Sequence, residues 1–377
     1  MKLAMRCNLA CTYCYWFRDD SVYDKPSILT LEAENAYVEK LGRHIAKYGV
    51  PSFFVLFHGG EPLLFGLRRF DAFCTKLRAL EQQLGFTLKL AITTNGVLLT
   101  ESWRDLFEQH HVSVTLSIDG PREVHDRSRI DHHGRGTFDK TLRALQIMRD
   151  GGKDPGVLSV CNPAMDPESL CEFFVHELGL KAFDFLVPDA NYEDAPGPIA
   201  GFYTKLFDLW YDKYSSQGVR IRFIESIATG LLGRESHSES IGYGPTSTVT
   251  LLTDGSLEPL DVLRTAGSGF TRTKYNIQSH ELQDVDEDQL WREILNATVQ
   301  LPAACEACAY KFACGGGHVA SRYSLARRYD NPSVYCHDFK IMFRHAWHRL
   351  REDLYVNAGH QTIPLRQALD PAPLEEL

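Results

Sequence analysis

Residues 2–14 read Lys-Leu-Ala-Met-Arg-Cys-Asn-Leu-Ala-Cys-Thr-Tyr-Cys, a short apolar run followed at once by three cysteines. The run Lys2–Met5 is typical of a buried strand. The spacing Cys7-x3-Cys11-x2-Cys14 places three thiols on the loop that leaves this strand, where α/β folds gather their ligands. Three thiolates can hold three irons of a [4Fe–4S] cluster and leave the fourth iron open. A zinc ion completed by a distant His or Cys is the alternative.

The first half of the chain alternates apolar runs with longer amphipathic stretches. Strands are predicted at Lys2–Met5, Phe53–Phe57, Leu88–Thr94, Ser113–Ile118, Gly156–Cys161 and Phe183–Val187. Helices are predicted over residues 30–48, 68–84, 101–110, 137–150, 167–178 and 198–215. Six βα units in series favour a parallel sheet with right-handed crossovers, and they are too few for a closed eight-stranded barrel. We therefore expect an α/β fold built as a partial (β/α)6 barrel.

The pattern changes after about residue 216. Later elements are predicted as strands at Val219–Phe223 and Thr248–Leu252, and as helices near 286–298 and at Phe339–Leu354. We predict three segments: the barrel over residues 1–216, a bridging region over 217–300, and a small cysteine-containing domain over 301–377. The tail that follows the last helix is rich in proline, and we expect it to be loosely ordered.

Composition excludes several classes of function. The chain has 377 residues, a formal net charge of -9 and no block of Lys and Arg, which disfavours nucleic-acid binding. No apolar run approaches the roughly 18 residues of a membrane span, and the first residues lack the apolar core of a signal peptide. We therefore predict a cytoplasmic protein that binds no membrane. In a reducing cytosol, cysteines clustered as they are here point to metal rather than to disulfides.

Polar motifs follow three further strands at the point where each strand ends. His58-Gly-Gly-Glu-Pro62 follows the second strand, Thr93-Thr-Asn-Gly96 the third and Ser117-Ile-Asp-Gly120 the fourth. Two glycines at a strand end let the backbone approach a ligand closely, and Glu61 can receive an ammonium group. One ligand at this edge of the sheet would be within reach of all three motifs.

These motifs, in this order over about residues 1–190, resemble the radical S-adenosylmethionine (SAM) superfamily. The resemblance implies that SAM chelates the open iron and that its reductive cleavage gives a 5′-deoxyadenosyl radical. It also implies an electron donor such as flavodoxin or ferredoxin. Arg129 would pair with the SAM carboxylate, although an exposed surface arginine is the alternative. The resemblance also places Gly59, Gly60 and Glu61 at the SAM amino group. It places Asn95 and Ser117 near the ribose, and it includes Tyr13 in the site.

A second cysteine group lies near the other end of the chain. Cys305-x2-Cys308-x5-Cys314, followed by Cys336, supplies four thiolates. That is a full set for one closed [4Fe–4S] cluster, and it also suits zinc. The group resembles part of the SPASM extension of radical SAM enzymes, which carries two auxiliary clusters. Cysteines expected for the inner one are missing, so we predict a single auxiliary [4Fe–4S] cluster.

Several segments resemble the Fxs-type peptide maturases, among them Leu56–Leu64, Asp261-Val-Leu-Arg264 and Asn331–Cys336. The resemblance implies a ribosomally made precursor peptide in which an aromatic ring is joined to a β-carbon, giving a cyclophane. With Cys7 so close to the start, we expect no leader-binding domain before it. For the base that completes the reaction we predict Asp261 first and His318 second. An Asp261→Asn variant should then cleave SAM but yield little crosslinked peptide.

Two kinds of alternative stay open. Within the superfamily they are a sulfatase-type maturase, an epimerase, a thioether-forming enzyme or an enzyme acting on a small molecule. The sulfatase type ranks lower because two auxiliary clusters are usual there and cysteines are missing here. From a different class, a zinc-stabilised binding protein without catalysis would also use clustered cysteines.

Overall fold

The computed structural model describes residues 1–357 except 237, 239, 246 and 247, so the predicted loose tail lies outside the described residues. Its strands are β1 Lys2–Ala4, β2 Ser52–Gly59, β3 Thr87–Thr94, β4 Val112–Ser117, β5 Gly156–Val160, β6 Ala182–Leu186, β7 Arg220–Ile221, β8 Thr250–Leu251 and β9 Leu257–Glu258. Its α-helices are α1 Leu31–Tyr48, α2 Leu67–Leu84, α3 Glu101–Gln109, α4 Arg122–Ser128, α5 Phe138–Asp150, α6 Pro167–Glu172, α7 Ala200–Leu209, α8 Arg222–Leu231, α9 Gln289–Val299, α10 Lys311–Cys314 and α11 Cys336–Asn357.

The chain forms two compact units. The first unit is Met1–Ser159 with Ser247–Glu293, and the second unit is Val160–Thr246 with Ile294–Leu377. Compact units and sequence segments need not coincide, and the predicted division at residues 216 and 300 stays a prediction.

The first unit is built on parallel strands that follow one another in chain order. β1 pairs with β2, β2 with β3, β3 with β4, and β4 with β5, every pair parallel. Their inward residues are apolar and buried, as Phe57, Ile92 and Leu116 illustrate. Helices cover the sheet through aromatic contacts such as Phe57 with Phe70, whose ring centres are 5.3 Å apart. The predicted α/β class with a parallel sheet is therefore confirmed.

The second unit carries the last βα units and the C-terminal cysteines. β6 and β7 pair in parallel within it. The predicted strand Val219–Phe223 is only partly correct, because the strand ends at Ile221 and α8 begins at once. The reason is a contact that is distant in sequence: the Asp184 carboxylate of β6 accepts a hydrogen bond of 2.9 Å from the Phe223 N–H in the first turn of α8.

Local signals predicted the starts of α1 and α6 correctly, whereas α11 begins at Cys336 rather than at the predicted Phe339. The Thr30 hydroxyl accepts a hydrogen bond of 3.2 Å from the Ala33 N–H at the start of α1. Asp166 accepts from the Glu168 N–H, with Pro167 in the first turn of α6. The seven-residue helix α4 was not predicted, since it is too short to show a periodic pattern. Among the described residues, no helix is both long and apolar enough to cross a membrane, and the cytoplasmic location stays a prediction.

Candidate active site and cysteine centres

The loop with the first three cysteines leaves β1 in the first unit. The strand is buried, and its following loop is fastened by backbone hydrogen bonds from Ala10 to Ile130 (2.8 Å) and from Thr12 to Ser128 (3.0 Å). All three thiols are partly accessible. Burial raises the pKa of the Cys7 thiol to about 12 and that of Cys11 to about 11. Cluster or metal binding at this loop therefore releases protons, because only the thiolate is a ligand.

Gly59 and Gly60 let the end of β2 lie directly against this loop. A side chain on Gly59 would start 2.2 Å from the Ala4 oxygen, and one on Gly60 would start 2.2 Å from the Arg6 oxygen. The Gly60 N–H donates to Ala4 and the Glu61 N–H to Arg6, both at 2.9 Å. Close backbone packing explains these glycines, while their contact with SAM stays a prediction.

Glu61 is buried where the ends of β2 and β3 meet. Its carboxylate accepts hydrogen bonds from the Thr94 hydroxyl (2.7 Å), the Leu63 N–H (3.0 Å) and the Asn95 N–H (2.9 Å). Desolvation nevertheless raises the pKa of Glu61 to about 7. No Lys, Arg or His forms an ion pair with it in the part of the chain that the structure describes. The site therefore holds a buried carboxylate whose charge a cationic ligand group would compensate.

Asn95 and Ser117 lie at neighbouring strand ends. The Asn95 amide nitrogen donates to the Asn8 side-chain oxygen at 2.9 Å and lies 3.6 Å from the Cys7 sulfur. Ser117 is the last residue of β4 and is partly buried. The structure thus brings Asn95 to the cysteine loop and places Ser117 one strand further along the sheet, while their predicted position near the ribose stays a prediction.

Arg129 is buried, so the exposed-surface alternative for this residue is wrong. Its Nε lies 3.1 Å from an Asp119 carboxylate oxygen, and the Tyr13 hydroxyl donates to the same oxygen at 2.5 Å. The guanidinium also lies 5.5 Å from the centre of the Tyr13 ring. Sequence reasoning missed the role of Asp119, which stands in the Ser117-Ile-Asp-Gly120 motif. A carboxylate ligand at Arg129 would have to share the guanidinium with Asp119.

Asp261 is paired rather than free. Its carboxylate forms an ion pair with the Lys2 ammonium of β1 and accepts a hydrogen bond of 2.7 Å from the Tyr15 hydroxyl. Lys2 also lies 2.8 Å from the His58 Nδ1. Burial opposes ionisation of Asp261, but the Lys2 charge outweighs it and holds the carboxyl pKa well below its usual range. Such a carboxylate is a weak proton acceptor at neutral pH, so its predicted role as the base receives no support from its surroundings.

His318 belongs to the second unit, where its backbone N–H donates to the Ser240 oxygen at 3.0 Å. It follows Gly315, Gly316 and Gly317, each of which has a positive φ. Its predicted role as an alternative base stays a prediction.

The Lys2–Asp261 pair gives a stability prediction that bears on any test of Asp261. Asp261→Asn is expected to lower the free energy of unfolding by about 1–3 kcal/mol, because the Lys2 ammonium is left buried without its counter-ion, while the Asp261 side of the pair is partly exposed. Denaturant titration measures this loss. The double variant Lys2→Met with Asp261→Asn should lose less than the two single variants together. Strictly additive losses would show that the two side chains do not act as a pair.

The second cysteine group forms a separate centre in the second unit. Cys305, Cys308, Cys314 and Cys336 line one cavity together with Lys311 and Lys340. Burial raises the pKa of Cys305 to about 11 and also raises the pKa of Cys314 and Cys336. Cys314 ends α10 and Cys336 begins α11, so two helices position two of the four thiols.

The donor sets of both centres consist of thiols alone. Four thiols around one cavity fit a closed [4Fe–4S] cluster, and three thiols beside a buried carboxylate fit a cluster with one open iron. Within the described ranges, no three His, Cys, Asp or Glu side chains converge on a single metal ion, whereas the thiolates of a [4Fe–4S] cluster each bind a different iron and need not converge on one point. The other three cysteines, Cys74, Cys161 and Cys171, are buried, as expected for small apolar residues.

Comparison with protein families gives a match to the Radical SAM superfamily over residues 1–173. A cysteine-type anaerobic sulfatase-maturating enzyme of Clostridium perfringens is 28% identical over 366 residues, covering 91% of this chain and 94% of the relative. A serine-type anaerobic sulfatase-maturating enzyme of Klebsiella aerogenes is 27% identical over 336 residues, covering 82% and 76%. Both relatives are matched across most of their length.

Solved structures agree with the sequence matches. Native anSMEcpe with bound AdoMet superimposes with a TM-score of 0.79 and 26% identity, over 93% of this chain and 97% of that one. Native anSMEcpe with bound AdoMet and Cp18Cys peptide gives a TM-score of 0.80 and 26% identity, over 93% and 96%. The fold of those proteins, with its parallel α/β sheet, is therefore also the fold of this chain.

These relatives do not support the predicted Fxs-type branch. The matches are to sulfatase-maturating enzymes, which the sequence motifs had favoured less. The missing cysteines had suggested a different branch, but similarity over nearly the whole chain outweighs them. Residues 1–173 thus match the Radical SAM superfamily, and the chain is similar over most of its length to anaerobic sulfatase-maturating enzymes.

Proposed function

We propose that this protein is a radical SAM enzyme that oxidises a side chain of a peptide substrate. One observation carries the proposal: the buried Glu61 and the Asn95 amide are held against the loop of three cysteines by hydrogen bonds to the Arg6 backbone oxygen and the Asn8 side chain. An open iron on that loop and a carboxylate beside it form a site that suits an amino-acid cofactor. The relatives named for cysteine-type and serine-type maturation support a peptide as the substrate.

The proposed roles follow from the position of each side chain. Cys7, Cys11 and Cys14 hold a [4Fe–4S] cluster, and Glu61 accepts hydrogen bonds from the SAM amino group. When bound, cluster and SAM supply a 5′-deoxyadenosyl radical that removes a hydrogen atom from the peptide. Gly59 and Gly60 keep β2 close enough to the cysteine loop for Glu61 to reach the same ligand.

The second centre completes the oxidation in this proposal. Cys305, Cys308, Cys314 and Cys336 hold one closed [4Fe–4S] cluster in a SPASM-like domain. Loss of one hydrogen atom leaves a carbon radical, which must lose a further electron and a proton to become a stable oxidised side chain. A cluster held by these four cysteines would supply an acceptor for that electron, and a small electron carrier such as flavodoxin or ferredoxin would provide the electron for SAM cleavage.

The direct test uses reconstituted protein, SAM, a reductant and short peptides under anaerobic conditions. Product masses and 5′-deoxyadenosine are measured together. A peptide with one serine is expected to lose two hydrogens, and a peptide with only aromatic and aliphatic residues is expected to stay unchanged. Loss of two hydrogens from the second peptide, with fragmentation blocked across a ring, would instead favour a carbon–carbon crosslink.

Metal content separates this proposal from a zinc-stabilised binding protein. The reconstituted protein is expected to be brown and to hold about eight irons, four at each centre. Cys74→Ala is a matched control, because Cys74 is buried in α2 outside both groups. A colourless protein that holds only zinc and leaves SAM intact would contradict the proposal.

The raised pKa of the Glu61 carboxyl group predicts how SAM binding depends on pH. Burial raises the pKa of Glu61 to about 7, so the carboxyl is ionised above and protonated below this pH. Only the ionised form compensates a cationic amino group. The affinity for SAM is therefore expected to be about fivefold weaker at pH 6 than at pH 7, a range in which the α-amino group of SAM keeps most of its proton.

Calorimetric titration of SAM across this range checks the prediction. Glu61→Gln should bind SAM weakly with little pH dependence between 6 and 8. Glu34→Gln, which changes a buried carboxylate paired with Arg69 and Lys76, should keep the wild-type dependence. An equal pH dependence in wild type and Glu61→Gln would exclude this role.

A further inference from the structure

Arg322 is a buried cation without a carboxylate partner. Its side chain lies in the second unit and is 2% exposed. The guanidinium donates to three backbone oxygens: those of Ala297, Tyr329 (2.8 Å) and Asn331 (3.1 Å). No Asp or Glu lies within ion-pair distance of it among the residues described. Carbonyl oxygens satisfy its N–H groups, but they bring no net charge to balance its own.

Arg322 lies directly behind the wall of the cysteine cavity. Gly316 and Pro332 are part of that wall. The Arg322 Cδ is 3.7 Å from the position that a Cβ on Gly316 would take. The Arg322 Nε donates to the oxygen of Asn331, the residue that precedes Pro332. Arg322 is therefore packed against the backbone that forms one wall of the cavity.

Apart from the thiols, the side chains lining the cavity that carry a charge at neutral pH are cationic. Its lining includes four cysteines and the two lysines Lys311 and Lys340, and no carboxylate. The nearest acidic side chain on the same hairpin, Asp330, is exposed and pairs with Arg327 at 3.1 Å. Burying a cation is unfavourable unless an opposite charge lies near, and four thiolates are the negative groups available here.

We propose that Arg322 is the buried counter-cation of the second cysteine centre and that it raises the reduction potential of the cluster held there. The inference rests on the auxiliary cluster of the proposed function. A reduced cluster carries one more negative charge than an oxidised one, so a fixed cation behind the cavity wall stabilises the reduced form more. Net charge and groups just outside the ligands are known to set cluster potentials. Arg322 is thus a tuning residue and touches neither substrate nor SAM.

The test compares Arg322→Gln with Arg322→Lys in a full-length background that lacks the first cluster, with Cys7, Cys11 and Cys14 changed to alanine. Redox titration followed by electron paramagnetic resonance reports the remaining cluster. Arg322→Gln is expected to lower the ratio of reduced to oxidised cluster about tenfold at a given potential, a shift of about 59 mV. Arg322→Lys keeps the positive charge, so its cluster should have a reduction potential close to that of the parent protein, which carries the three alanines and an unchanged Arg322.

Arg327→Gln is the matched control, because it removes an exposed cation from the same hairpin. Equal potentials in the Gln and Lys variants of Arg322 would overturn the inference. If Arg322→Gln does not retain its iron, retention by Arg322→Lys supports the charge role, and loss from both variants overturns it. A parent without any cluster contradicts the proposed function together with the inference, whereas an intact cluster with unmoved potential contradicts the inference alone.

Discussion

Replacing Cys11 with alanine is expected to abolish SAM cleavage and to leave about four of the eight irons in place. Cys11 is the middle ligand of a loop fastened to Ile130 and Ser128, so its loss leaves this loop with two of its three thiolates. Two thiolates do not hold a cubane with one open iron. The second centre belongs to another unit and keeps its four thiols.

Iron determination and quantification of 5′-deoxyadenosine measure this result. Cys171→Ala, which removes a buried thiol outside both centres, should keep the full iron content and full SAM cleavage. Residual 5′-deoxyadenosine formation by Cys11→Ala near the wild-type rate would show that the first three cysteines are not the site of cleavage.

Arg264→Met is expected to lower the free energy of unfolding by about 3–5 kcal/mol. The guanidinium is almost inaccessible and forms ion pairs with Asp19 and Glu258, both also buried. It lies 4.5 Å from the centre of the Trp16 ring, two residues after Cys14. Methionine fills much of the space but leaves two buried carboxylates without a cation. Buried charges without a counter-ion strongly destabilise the folded state.

Denaturant unfolding of the variants checks this prediction. Arg272→Met removes an exposed pair with Asp24 and is expected to change stability by less than about 1 kcal/mol. Equal losses in the two variants would contradict the proposed importance of the buried network. Because Trp16 is packed against this network, we also expect Arg264→Met to retain less iron at the first centre.

Much of the barrel could be predicted because its signals are local. The six strands and the caps at Thr30 and Asp166 follow from runs of apolar residues and from side chains that bond their own helix. The cysteine groups and the pair Gly59-Gly60 were also visible, since spacing alone defines them. Close packing of Gly59 and Gly60 on β1 gives the physical reason for those glycines.

The polar pairs could not be predicted, because each joins residues far apart in sequence. Lys2 and Asp261 form an ion pair although they are 259 positions apart in the sequence. Arg264 and Asp19 form another and are 245 positions apart. Which carboxylate neutralises which cation depends on the folded backbone. For this reason Asp261 was predicted to be a base, while the structure shows it paired with Lys2.

The substrate chemistry was the hardest part to predict. Missing cysteines indicate which cluster a chain lacks, but they do not define which bond of the substrate changes. That is why the sequence motifs favoured a crosslink, whereas similarity over most of the chain supports the oxidation of a single side chain that we propose.

Hydrogen transfer from the peptide tests the central claim most directly. A peptide whose serine or cysteine carries deuterium at the β-carbon is incubated with reconstituted protein, SAM and reductant, and the mass of 5′-deoxyadenosine is measured. Our account predicts that the 5′-deoxyadenosine carries one deuterium and that the peptide is oxidised in step with it. Unlabelled 5′-deoxyadenosine accompanied by an unchanged peptide would contradict it.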